Sequence, residues 1–146
     1  WRLGYGVMRK DLALKMARLM TNTNSCTSAF TQMAGVEALK GPQGEPAKMV
    51  AEFRRRREVI VDGLNKIERI TCRKPRGAFY VFPNIKGTGM DCRELGDYLL
   101  NEGGVAVLPG TSFGKYGEGY LRLSFANSVE NIKKALDRIS EALKKR

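Results

Sequence analysis

The chain has 146 residues, 42% of them hydrophobic, which is enough for one ordinary domain or for a domain plus part of another. Three widely spaced cysteines, Cys26, Cys72 and Cys92, and a complete lack of histidine argue against a disulfide scaffold or a zinc site and remove any Ser-His, Cys-His or His-metal chemistry from the chain. With 26 Lys+Arg against 15 Asp+Glu the net charge is +11, which points to anionic partners: nucleic acid, a membrane surface, or small acidic substrates and phosphates.

In chain order, Leu3–Met8 alternates weakly between two glycines and reads as a strand, after which Leu12, Met16 and Leu19 mark a helix over Asp11–Met20. The Thr21–Ser25 run reads as a break that caps a second helix, which reaches about Lys40 and ends at Gly41-Pro42. Pro46 then opens a long helix of about 20 residues, with Met49, Phe53, Ile60, Leu64 and Ile67 on one stripe. Inside it stand four consecutive arginines, Arg54 to Arg57. Glu52 and Glu58 are spaced to pair with Arg56 and Arg54, so the run reads first as a solvated helix face and only second as a nucleic-acid patch.

From Ile70 the period drops to two, predicting short strands at Ile70–Arg73, Ala78–Phe82, Val105–Leu108 and Tyr120–Phe125. Asp91 is placed to cap a helix carrying Leu95, Tyr98 and Leu99, and Ser128 to cap a final amphipathic helix through Ile132, Leu136, Ile139 and Leu143. From about Pro46 the order is helix, strands, helix, strands, helix: an α/β arrangement in which helices cover one face of a small, largely antiparallel sheet. No run approaches the roughly 18 apolar residues of a membrane span, and the opening residues resemble no signal peptide, so a cytoplasmic protein is expected.

Within Tyr120–Phe125 the alternation sets Leu121, Leu123 and Phe125 on one face and Arg122 on the other. A half-buried arginine left unpaired is costly, so three readings stay open: an internal carboxylate partner, a side chain that snorkels to solvent, or a fork that grips a substrate carboxylate through two parallel hydrogen bonds. Arg2, near Gly4 and Gly6, raises the same question for a phosphate, though by itself it reads first as an exposed terminal arginine. The Pro109–Gly119 loop is rich in glycine but lacks the spacing of a phosphate loop, and reads as the border of a ligand site.

Three segments stand together in an order and spacing that resembles the class I and II, fold-type I aminotransferases, nearest the aspartate aminotransferase branch. They are Trp1-Arg-Leu-Gly-Tyr-Gly6, Arg76-Gly-Ala-Phe-Tyr-Val-Phe82, and Val107-Leu-Pro-Gly-Thr-Ser-Phe-Gly114 followed by Tyr120-Leu-Arg-Leu-Ser-Phe-Ala126. The resemblance implies a C-terminal part of such an enzyme, with residues 1–44 closing the large cofactor domain and 45–146 forming the small α+β domain. It implies pyridoxal 5'-phosphate as cofactor, Arg2 on its phosphate, and Arg122 on the substrate α-carboxylate. Phe79 would line the substrate side, with Tyr5 and Asn24 near the site or the dimer interface.

The lysine that carries the cofactor as a Schiff base would lie just before Trp1, so the fragment alone is expected neither to retain cofactor nor to catalyse. The implied reaction moves an amino group between an amino acid, aspartate-like or related, and a 2-oxo acid, in a homodimer with no nucleic-acid or membrane partner. Carbon–sulfur lyases use the same fold and lysine chemistry. Two other readings are the effector-binding domain of an aminotransferase-like transcriptional regulator and a basic nucleic-acid-binding domain. The two guanidinium groups are expected to converge on one pocket.

Overall fold

In a computed structural model, which describes residues 1–146, the chain divides into two units, Trp1–Glu45 and Pro46–Arg146. The first contains two helices, α1 (Lys10–Thr23) and α2 (Ala29–Lys40). Helix α1 runs through the polar stretch that was expected to stop it. Its side chains explain this: Thr21, Asn22 and Thr23 each bond back to the carbonyl four residues earlier, at 2.8, 2.8 and 3.0 Å, instead of capping a new helix. Leu3–Met8 is not a strand, because the unit's regular elements are helices and no strand lies there to complete a ladder.

The second unit begins with most of α3 (Gly44–Leu64) and continues through β1 (Tyr80–Val81), α4 (Cys92–Asn101), β2 (Leu108–Pro109), β3 (Leu121–Ser124) and α5 (Val129–Lys144). The strands form one antiparallel sheet of order β1-β3-β2, with Tyr80 opposite Ser124 and Leu108 opposite Arg122. They are shorter than alternation predicts. Ala78, at φ 59°, leaves the extended region before β1, Pro83 and Pro109 have no N–H to donate, and the expected strand at Ile70–Arg73 shrinks to a single bridge between Thr71 and Asn84.

Both predicted caps form. Asp91 accepts from the backbone N–H groups of Arg93 and Glu94, each at 2.8 Å, and Ser128 accepts from that of Asn131 at 3.2 Å. The core lies where α3, α4 and α5 meet the sheet. Ile60 and Leu64, Leu95 and Leu99, and Ile132 and Ile139 bury against Val81, Leu121, Leu123 and Phe125. This leaves the other face of β3 free to carry Arg122.

On α3, Glu52 bonds Arg55 and Arg56 at 2.8 Å each, and these two guanidinium groups hold its carboxyl down at about 2. Glu58 does not reach Arg54 as predicted; it joins Lys74 at 2.6 Å and Arg57 at 3.2 Å. Three of the four arginines are thus tied to carboxylates, and only Arg54 and Arg55 lie on an exposed face, Arg56 and Arg57 being part-buried. No helix is long and apolar enough to cross a membrane.

Candidate active site

Arg122 is the central cation of the sheet. Strand β3 lies between β1 and β2, so the residue is flanked on both sides, and its neighbours Leu121 and Leu123 are locked into the core. Its side chain is half-buried and its guanidinium carbon lies 3.8 Å from the centre of the Phe113 ring and 4.4 Å from that of Tyr80. No carboxylate of the chain pairs with it, and it donates no hydrogen bond. Stacking on aromatic rings restrains a guanidinium while leaving its N–H edge unspent. Such a group is an acceptor-seeking fork, preorganised for a carboxylate.

Phe113 reaches Arg122 from the 3₁₀ turn Gly110–Phe113, which is held from two sides. Backbone packs on backbone: a Cβ on either Gly110 or Gly117 would strike the other residue's carbonyl, so this loop closes only with glycine at both positions. Further along, Glu118 pins the loop to the start of α4, accepting from the Cys92 thiol at 3.2 Å and from the backbone N–H groups of Gly119 and Cys92 at 2.9 and 3.0 Å. Those bonds, the Cys92 thiol first, hold the Glu118 carboxyl below the usual carboxylate range.

Phe79 stands one ring away from the guanidinium. Its ring is 4.5 Å from Tyr80 and 6.0 Å from Phe53 of α3, so Tyr80 and Phe113, not Phe79, touch Arg122. Alternation could have found Tyr80, which shares the Arg122 face. Phe113 carried no such signal, because it comes from a glycine-rich loop without period.

In the first unit, Arg2 and Asn24 line one cavity of about 310 Å³, together with Ser25, Thr27 and Ser28. Arg2 has no ion-pair partner, and Ser28, which precedes α2, makes no side-chain cap, so the first N–H groups of α2 are left for an anion. Arg2 and Ser25 both hold left-handed backbone, at φ 57° and 61°, a costly conformation for residues other than glycine and one that collects at ligand sites. A guanidinium, three hydroxyls and a helix start fit a phosphate. Tyr5 does not line this cavity and is 75% exposed. Arg122 belongs to the other unit.

Residues 1–139 match the family model for aminotransferase class I and II. The chain belongs to this family, whose members depend on pyridoxal phosphate. Aspartate aminotransferase of Pyrococcus horikoshii is 41% identical over 145 residues, which is 98% of this chain and 37% of that protein. Aromatic-amino-acid aminotransferase 2 of Thermococcus litoralis is 37% identical, over 100% of this chain and 38% of that protein. Among solved structures, the aromatic aminotransferase of Pyrococcus horikoshii superposes with a TM-score of 0.85 at 37% identity, over 91% of this chain and 36% of that one. Aspartate aminotransferase of Thermus thermophilus, solved with maleate, gives 0.81 at 34%, over 91% and 35%. The chain therefore spans a little over a third of the length of the family members it matches.

Proposed function

We propose that these residues are the C-terminal part of a pyridoxal-phosphate-dependent aminotransferase that moves an amino group between an aspartate-like or related amino acid and a 2-oxo acid. In this reading residues 1–44 close the large cofactor domain, 45–146 form the small domain, and the lysine that carries the cofactor stands outside the 146 residues. The observation that supports it best is Arg122: a half-buried guanidinium, stacked on two rings, with no carboxylate of its own.

Pyridoxal phosphate supplies, when bound, the electron sink that labilises bonds at an amino acid's Cα. The work of this chain is positioning. Arg2 and the hydroxyls of Ser25, Thr27 and Ser28 hold the phosphate, with Asn24 in the same cavity. Arg122 takes the α-carboxylate edge-on, so that the substrate's rotation is fixed before the reaction. Phe79, behind Tyr80, walls the substrate side. Tyr5 stays exposed in this chain, as a residue of the dimer interface would. The assembly is read as a cytoplasmic homodimer. The regulator and nucleic-acid readings draw no support from the family match, and the paired arginines of α3 weigh against the second.

The test is a transamination assay on the longer protein, with pyridoxal phosphate, aspartate and 2-oxoglutarate. Arg122→Ala should lower kcat/KM about 100-fold, the loss of a bidentate charged contact, while the protein still binds cofactor and turns yellow. Arg2→Gln should do the converse and lose cofactor on dialysis. Full activity in Arg122→Ala would refute the assignment.

A further inference from the structure

Two rings touch the Arg122 guanidinium, and a further ring stands beyond each of them. Phe79 lies 4.5 Å beyond Tyr80, and Phe82 lies 5.8 Å beyond Phe113, edge to face at 77°. On the Phe113 side the row opens into a cavity of about 430 Å³, walled by Phe82, Phe113, Tyr116 and Tyr120 together with Gly110 and Gly117. Its walls carry no charged side chain. Lys86 and Lys115 lie over the rings of Tyr120 and Tyr116, at 6.0 and 5.0 Å, but neither lines the cavity.

These rings are not core. Phe82 and Phe113 are exposed and Tyr116 is 86% exposed, whereas the inner face of the same sheet buries Leu121, Leu123 and Phe125. Apolar surface left in contact with water contributes nothing to folding, so stability gives no reason to gather three exposed rings at one cavity. The loop that carries two of them is also stiff. Gly110 and Gly117 pack backbone against backbone, which sets Phe113 and Tyr116 in place before any ligand binds. A small pocket with apolar walls and one polar anchor beside it is the form of a small-molecule site.

Resting on the proposed function above, we infer that this cavity receives the side chain of the amino acid whose α-carboxylate Arg122 holds, so that the longer protein also takes aromatic amino acids as donors. An α-amino acid carries its carboxylate and its side chain on one carbon. Phe113, which touches the guanidinium and walls the cavity, spans both halves of such a ligand. A phenyl or phenol side chain meets ring edges and faces there, an arrangement that aromatic pairs favour by about 0.5–1.5 kcal/mol. A carboxylate side chain gains nothing from these walls, which hold no cation. In the reaction, phenylalanine gives its amino group and Cα hydrogen to 2-oxoglutarate in exchange for the keto oxygen, leaving phenylpyruvate and glutamate.

The experiment measures kcat/KM of the longer, cofactor-bound protein with 2-oxoglutarate and with phenylalanine, alanine or aspartate as donor. Phenylalanine should exceed alanine by about tenfold or more, as a filled apolar pocket requires. Phe82→Ala and Tyr116→Ala should each lower the phenylalanine-to-alanine ratio about fivefold, and Arg122→Ala should lower all three donors together. Tyr116 is almost wholly exposed, so the melting temperature of Y116A should match the parent's. Transfer from aspartate with none from phenylalanine, or a ratio that neither F82A nor Y116A moves, would overturn the inference and leave the proposed function standing. No transfer from any donor would overturn both.

Discussion

A guanidinium resting on two rings is half restrained before any ligand arrives, and this sets what substitutions near Arg122 should do. Stacking of this kind contributes about 0.5–2 kcal/mol, so Phe113→Ala should weaken carboxylate binding several-fold while sparing the fold, which thermal melting and a substrate titration together would show. The thiols offer an independent check on the residue environment. Cys72 is buried, which pushes its thiol up to about 11, and Cys92 is sealed beneath Glu118, whereas Cys26 is exposed. At neutral pH a thiol reagent should label one cysteine in the native chain and all three in denaturant. Rapid labelling of Cys72 without unfolding would contradict the packing around Asn65, whose amide holds the Cys72 backbone at both ends, at 2.8 and 2.9 Å.

Among elements, the helix caps and the Glu118 clip carry the sharpest expectations. Asp91→Ala should cost about 1 kcal/mol through α4, read as a shift in denaturation midpoint. Glu118 has a folded value below its unfolded one, so its contribution is present at neutral pH, above the unfolded value, and is lost as pH falls through the folded value. Acidification should therefore loosen the Phe113 loop in the parent, and Glu118→Gln should remove that pH dependence, as followed by carboxylate binding between pH 7 and 3. Much at this scale was legible in the sequence. Asp91 and Ser128 announced their helices by side-chain chemistry, and the alternation of Leu121, Leu123 and Phe125 put Arg122 on the free face of β3. What stayed hidden was whatever depends on a distant partner: Glu58 turns to Lys74 instead of Arg54, and Thr21 and Thr23 prolong α1 by bonding backward. Phe113 arrives at Arg122 through a glycine contact that no period encodes.

For the molecule as a whole, the two units differ in what they bury. Every apolar core residue lies at Ile60 or beyond, while α1 buries none and Leu14, Leu19, Phe30 and Met33 are exposed in the first unit. Residues 46–146 alone should melt cooperatively, and residues 1–45 alone should show little helix by circular dichroism. In the longer protein proposed above, those exposed side chains are the surface that the rest of the cofactor domain and a second subunit would cover. In the proposed function the charge of +11 would serve small anions, a phosphate at Arg2 and a carboxylate at Arg122. The central claim among these is that Arg122 is kept unpaired to receive a carboxylate. Its most direct test is the affinity of the longer, cofactor-bound protein for an unreactive dicarboxylate such as maleate, measured in the parent, Arg122→Ala and Arg122→Lys. The account predicts a loss of about 100-fold in the alanine variant, only partly restored by lysine, whose point charge cannot form the fork. Equal affinity in all three proteins would contradict it.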